Sequence, residues 1–217
     1  MIITAIERTP RRRARVTVYL DGTQSIEITR ATARKRELRP GTVVDQSTID
    51  EIVSADRRRV ALDAAAALLA RRPRSERELR RRLTMRKLEP PLVDETIERL
   101  RALKLIDDAA FARSWAESRD RSAPRGKRLV VQELRAFGVD AEIARVAAED
   151  LSDSDGAYRL ACRRVRTLSG LDARAFRERL SAFLVRRGFD WEVARATAER
   201  CWRESGGAEN GAFEFIE

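Results

Sequence analysis

The 217-residue chain contains no histidine. Without imidazole there is no Ser-His-Asp or Cys-His nucleophilic site and no His-ligated metal. Two cysteines, Cys162 and Cys201, are too few for a four-cysteine zinc site or a disulfide framework. Long apolar runs are also missing. The longest nearly uncharged stretch, Ala64 to Ala70, falls far short of the ~20 residues that span a bilayer. The opening MIITAIERTPRRR has no extended apolar core, so no secretory signal is expected. Neither GxxxxGK[ST] nor GxGxxG occurs, and no paired-carboxylate signature stands out. The adjacent acids Asp107-Asp108 read as helix caps at a repeat junction rather than as catalytic groups. These absences point to a cytoplasmic, reducing-compartment protein that is not an enzyme. No catalytic residue, cofactor or metal site is expected.

What is abundant is charge. Charged residues make up 37% of the chain, well above the usual ~25%. Forty-five basic side chains, 41 of them Arg, stand against 35 acids, for a net charge of +10. An excess of this size implies an acidic partner, nucleic acid first. The distribution is uneven. Residues 1–60 carry +5, residues 61–107 carry +4, residues 108–155 carry −2 and residues 156–217 carry +3. Such a mixed pattern allows contact with both nucleic acid and protein. With apolar residues at 43%, two or three small modules with thin cores are expected rather than one large core.

The first ~30 residues alternate with period 2. Val16, Val18 and Leu20 lie between Arg15, Thr17 and Tyr19, Asp21-Gly22 gives a two-residue turn signal, and Ile26 and Ile28 return. Ser47-x-x-Asp50 reads as a helix start. From about residue 57 the pattern becomes helical. Ser75-x-x-Glu78, Asp107-Asp108, Asp140, Asp155, Asp172 and Asp190 mark helix starts, and Gly138 and Gly188 mark stops. About nine helices are expected. Sliding the chain by 50 residues aligns LRAFGVDAEIARVAAED (134–150) with LVRRGFDWEVARATAER (184–200), with eight of 17 positions identical. The expected fold is mostly α: three tandem three-helix repeats in an elongated array, preceded by a small antiparallel β meander. The expected boundaries are 1–56 for the meander with short helices, 57–107, 108–153 and 155–203 for the repeats, and 204–217 for an acidic, poorly ordered tail. The aromatics and both cysteines fall on the apolar stripes and are expected in the cores.

Three basic clusters are the candidate binding residues. Arg71, Arg72, Arg74, Arg77 and Arg81 lie in one helix-loop-helix. Leu79 and Leu83 take its inner face, so Arg74, Arg77 and Arg81 are expected on the outer one. Arg125, Lys127 and Arg128 surround Gly126 at a helix start, where backbone amides add positive character. Arg163, Arg164, Arg166, Arg186 and Arg187 form the third. In register on three repeats they would make one basic strip.

The runs SERELRRRL (75–83), LRALKLIDDAAFARSW (100–115) and RGKRLVVQELRAFGVD (125–140) resemble the RecX regulators of the bacterial recombinase RecA. The family pattern is met at Leu100, Leu103, Ile106, Asp107, Asp108, Phe111, Ala112, Trp115, Gly126, Glu133, Leu134, Gly138 and Val139. Ile106 stands where Leu is usual, and Lys87-Leu88 lacks the Gly often found after the Lys. The resemblance implies a non-enzymatic, monomeric inhibitor lying in the groove of the RecA–single-stranded DNA filament. It would hold back ATP hydrolysis, strand exchange and co-protease activity and limit filament growth. The alternative is a direct DNA-binding, helix-turn-helix-like module. Base reading favours Asn, Gln or Arg at the start of the reading helix, and Gln132 is the one Asn or Gln between residues 57 and 203.

Overall fold

The structure, a computed structural model, describes residues 1–10 and 12–205. The expected tail from Gly206 onward lies outside the described residues. Three strands, β1 (Ile3–Arg8), β2 (Arg15–Leu20) and β3 (Gln24–Thr29), form an antiparallel sheet in the order β1-β2-β3. Val18 pairs with Ile6 on one side and Ile26 on the other. Leu20 pairs with Gln24, so the turn holds three residues, Asp21 to Thr23, rather than two. Asp21 and Gly22 are both left-handed there, with φ of 48° and 75°.

Ten α-helices follow among the described residues: α1 (Arg30–Lys35), α2 (Gln46–Leu69), α3 (Glu76–Thr84), α4 (Pro90–Ala102), α5 (Asp108–Ser122), α6 (Lys127–Ala136), α7 (Ala141–Glu149), α8 (Asp153–Val165), α9 (Ala173–Arg186) and α10 (Trp191–Glu204). The chain forms two compact units: residues 1–72 with 79–103, and residues 73–78 with 104 onward. Helix α3 is divided between them.

In the first unit the sheet packs on α1 and the start of α2 around Ile3, Val16, Val18, Leu20, Ile28, Ile49 and Ile52. Asp45, ahead of the expected Ser47, caps α2 by accepting from Thr48 N at 2.7 Å. That contact holds the Asp45 carboxyl below its ordinary range. The helix then runs 24 residues, straight through position 56. Asp56 is buried, and its Oδ1 accepts from Thr29 N (3.0 Å), Thr29 Oγ1 (2.6 Å) and Thr32 Oγ1 (2.6 Å). One buried carboxylate on α2 thus ties down the end of β3 and the start of α1. A buried charge is tolerable only with donors of this kind around it. Leu79 and Leu83 are buried, as their spacing predicts, together with Leu68, Val93, Ile97 and Leu100.

The second unit holds α5–α7 around Phe111, Val130, Leu134 and Val139, and α8–α10 around Leu160, Phe176, Leu180, Leu184, Phe189 and Cys201. Asp140 and Asp172 cap α7 and α9 as expected, whereas Ser152 rather than Asp155 caps α8. Two core expectations fail. Cys162 is exposed, and Trp191, at the first turn of α10, is 60% exposed. Trp115 is half-buried.

One joint is used twice in this unit. Gly126 N donates to Arg187 O at 3.0 Å, and Lys127 N donates to Asp153 Oδ1 at 2.9 Å. Fifty-one residues earlier in the chain, Ser75 Oγ donates to Phe137 O at 2.5 Å and Glu76 N donates to Asp108 Oδ1 at 2.8 Å. In both places the start of one repeat's middle helix meets the end of the next repeat's middle helix. The first-turn aspartate of the next repeat accepts an amide that its own helix leaves orphaned. Backbones approach so closely that a Cβ on Gly126 would lie 2.0 Å from Gly188 O.

Candidate functional site

The sequence-predicted residues divide between the units. Arg71, Arg72 and Arg81 belong to the first, and the remaining ten to the second. Arg74 is corrected by the structure: it is not on the outer face. Its guanidinium is buried and donates to Glu78, itself buried, four residues on in α3. The cause is local. Ser75 turns its hydroxyl to Phe137 O and accepts from Glu78 N, so the start of α3 is enclosed and Glu78 needs a cation beside it. Arg77 is exposed, but its stem lies against Gly138, where a Cβ would meet Arg77 Cδ at 2.2 Å. Lys127 donates its ammonium to Glu149 O at 2.7 Å, and Arg163 donates to Ser122 O at 3.0 Å. Arg128, Arg166 and Arg186 are exposed.

What the fold does bring together is a cluster around Glu133. Trp115 and Arg119 are four residues apart on α5 and so share a face. Arg125 precedes α6, Glu133 lies within it, and Arg187 follows α9. The Glu133 carboxylate is 14% exposed. It accepts from Trp115 Nε1 at 2.9 Å, from Arg119 Nε at 2.8 Å and from Arg125 Nη1. The Arg119 guanidinium lies 4.4 Å from the Trp115 ring centre. Trp115 in turn meets the edge of Phe137 at 4.7 Å. On the neighbouring repeat, Arg164 and Arg187 flank the Phe183 ring at 5.5 and 5.2 Å.

The electrostatics are unbalanced. Two guanidiniums, Arg119 and Arg125, share the Glu133 carboxylate, and the Arg187 charge acts on Arg125 beside them. Burial lowers the Arg125 pKa from its ordinary value, and the charges of Arg119 and Arg187 lower it further. Arg125 Nε–H is buried and has no acceptor among the described residues. Like charges held together out of water disfavour one another until an anion joins them. The arrangement therefore has the chemistry of an anion-binding cluster: fixed guanidinium donors, a local charge of +2, and ring faces beside them. A phosphate oxygen is the kind of acceptor these forks fit.

Three domain models of one family match the chain in tandem. They are the first three-helix domain of RecX at residues 61–100, the second at 107–147 and the third at 153–200. The chain belongs to the RecX family. The regulatory protein RecX of Geobacillus thermodenitrificans is 30% identical over 186 residues, covering 82% of this chain and 68% of the relative. That of Chlorobium limicola is 34% identical over 146 residues, covering 67% and 92%. A crystal structure of regulatory protein RecX superposes with a TM-score of 0.65 at 23% identity, over 91% of this chain and 98% of that one. RecX from Lactobacillus salivarius gives 0.61 at 21% identity, over 68% and 97%. The chain is thus a RecX-family regulatory protein with its three three-helix domains in sequence order.

Within this family member, the basic clusters read from the sequence include Arg125, Arg164 and Arg187 but not Arg119, Glu133 and Phe183, which the structure places beside them. The Trp115–Arg119 spacing was the available signal, because position i+4 places the guanidinium over the ring. Nothing in the spacing pairs Arg125 with Arg187, which are 62 residues apart and meet only through the Gly126–Gly188 joint.

Proposed function

We propose that this RecX-family chain is a non-enzymatic, cytoplasmic regulator, acting as a monomer, that binds the RecA–single-stranded DNA filament in its groove. There it inhibits ATP hydrolysis, strand exchange and co-protease activity and limits filament growth. The observation that carries this reading is the under-neutralised arginine cluster around Glu133. It offers fixed donors for phosphate or carboxylate, and both abound where nucleic acid and a protein partner meet. The twice-used joint supports the same reading. It repeats one backbone geometry along the second unit, and such a repeat suits a partner that is itself periodic. The binding residues proposed are Arg125 and Arg187, with Arg119 added, backed by exposed Arg128, Arg164 and Arg186. Arg71, Arg72, Arg77 and Arg81 are proposed as contacts at the first repeat.

The test is a titration of RecA ATPase on single-stranded DNA. Wild-type protein should depress the rate in a stoichiometric manner, and the Arg125→Gln/Arg187→Gln variant should need several-fold more protein for the same effect. Full ATPase activity at an excess of the wild-type chain refutes the reading. Tight binding to bare duplex DNA, with no effect on RecA, would instead favour the helix-turn-helix-like alternative.

A further inference from the structure

The first unit carries a basic concavity, built mostly from residues that precede the three matched domains. It lies where the start of β2, the end of β3, α1 and α2 meet, and it encloses about 570 Å³. Arg13, Arg30, Arg34 and Arg59 line it, with Asp63 as the one acid and Ala14, Ala31 and Ala33 among its small apolar residues. We propose that this groove is a nucleic-acid backbone site, distinct from the Glu133 cluster and independent of the filament reading.

The arginines of this module fall into two groups. Arg12 and Arg15 are neutralised by Glu27, at 3.1 and 2.7 Å, and Arg15 also lies 3.8 Å from Asp56. Those pairs hold the sheet. Arg13, Arg30 and Arg34 have no acidic partner among the described residues and are exposed. Arg59 has only Asp63, four residues on and 3.6 Å away, in an exposed pair that water screens. Asp56 is the other carboxylate at hand, and it is buried under Thr29 and Thr32. Arg30 and Arg34 lie four apart on α1 and so repel each other. The described residues that line the groove therefore leave it a local charge of +3.

An extended ligand fits better than a single anion. A second groove of about 380 Å³ adjoins the first, shares Arg59 and Asp63 with it, and adds Lys35, Arg36 and Arg58. Basic side chains thus continue around α1 rather than converging on one point. Among the described residues no aromatic side chain lines either groove, so bases have no ring there to stack on, and the contact is to phosphates without sequence preference. A lipid surface is a poorer match, since the exposed apolar pair of the module, Ile2 and Val43, lies along the β1 edge of the sheet.

The test uses the full chain carrying Arg13→Gln, Arg30→Gln and Arg34→Gln, with Arg13→Gln alone as a loop variant that leaves α1 unchanged. Binding to a fluorescein-labelled oligonucleotide, single-stranded or duplex, is followed by anisotropy across about 50 to 300 mM salt. Three lost contacts should flatten the single-strand slope of log affinity against log salt by about 2, and weaken binding about a hundredfold at 0.1 M salt. The single variant should show about a third of that slope change. The Arg125→Gln/Arg187→Gln variant should lose affinity separately and additively, so a failure of either site is visible by itself. An unchanged slope in a triple variant that melts like wild type overturns the proposal. So does a loss confined to binding of phosphatidylglycerol vesicles.

Discussion

Glu133→Gln separates the two jobs assigned to the cluster, because it should move stability and binding in opposite directions. The substitution keeps the shape and one acceptor oxygen but removes the charge that three donors share. Hydrogen bonds to a charged acceptor contribute about 1.5–3 kcal/mol, and neutral ones about 0.5–1.5. Two of the donors, Arg119 and Arg125, are guanidiniums with side chains 26% and 27% exposed, so the site lies between a surface pair and a buried one. Losing about 1 kcal/mol at each, with some further loss at Trp115 Nε1, gives about 2–3 kcal/mol. That is below the 3–5 kcal/mol expected when a fully buried pair is broken. A urea titration followed by circular dichroism should show the midpoint fall with an unchanged slope. Affinity for single-stranded DNA should rise. The carboxylate competes with phosphate for the same guanidiniums, and removing one acid is equivalent to gaining about one contact, or roughly fivefold at 0.1 M salt. A folded variant that binds more weakly than wild type refutes the reasoning. Glu133 would then be aiming the arginines, and its charge would not be competing with the ligand.

Gly126→Ala should open the joint between the second and third repeats. Its Cβ would sit 2.0 Å from Gly188 O and 2.6 Å from Phe189 N, both backbone atoms with no rotamer to yield. Overpacking of about 1–3 kcal/mol plus the endangered Gly126–Arg187 bond gives about 2–4 kcal/mol, and a thermal melt within error of wild type would contradict the joint. Asp153 accepts from Lys127 N at the same joint, and burial raises its pKa above the usual carboxylate value. A raised folded-state pKa gives stability that is full below the ordinary pKa of about 3.9 and is lost as pH rises through the higher folded value. Asp153→Asn, which keeps an acceptor without the charge, should therefore be no less stable than wild type at pH 7 and should lack that pH dependence. A clear destabilisation at pH 7 in urea midpoints measured at both ends of the range would refute this.

The sequence by itself determined the elements and their order. Period-2 alternation over Val16, Val18 and Leu20 is a local property of a pleated strand, and the structure has β2 there. Leu79 and Leu83 fall on one helix face by geometry alone, and both are fully buried. Asp140 and Gly138 speak for helix ends because capping and left-handed φ are short-range demands. Gly138 and Gly188 both have φ of 89°. The 50-residue self-similarity carried the repeats, since each copy must bury the same stripe.

Tertiary structure alone decided which charges remain available. Nine arginines and lysines crowd residues 71–87, and their spacing puts Arg74 beside Arg77 and Arg81. It is burial of Ser75 against Phe137 that turns Arg74 inward to Glu78. The same holds for Cys162, which lies on an apolar stripe by spacing yet is exposed, while Cys201 is buried. Helix periodicity says which residues share a face, but not how wide a face the neighbour covers. Arg125 and Arg187 fall into one cluster because the Gly126–Gly188 contact places them together. Arg13, Arg30, Arg34 and Arg59 line one groove because Asp56 draws β3 and α1 onto α2. Charge is counted along the chain, but whether it is neutralised depends on partners up to 62 residues away, and only packing chooses those partners.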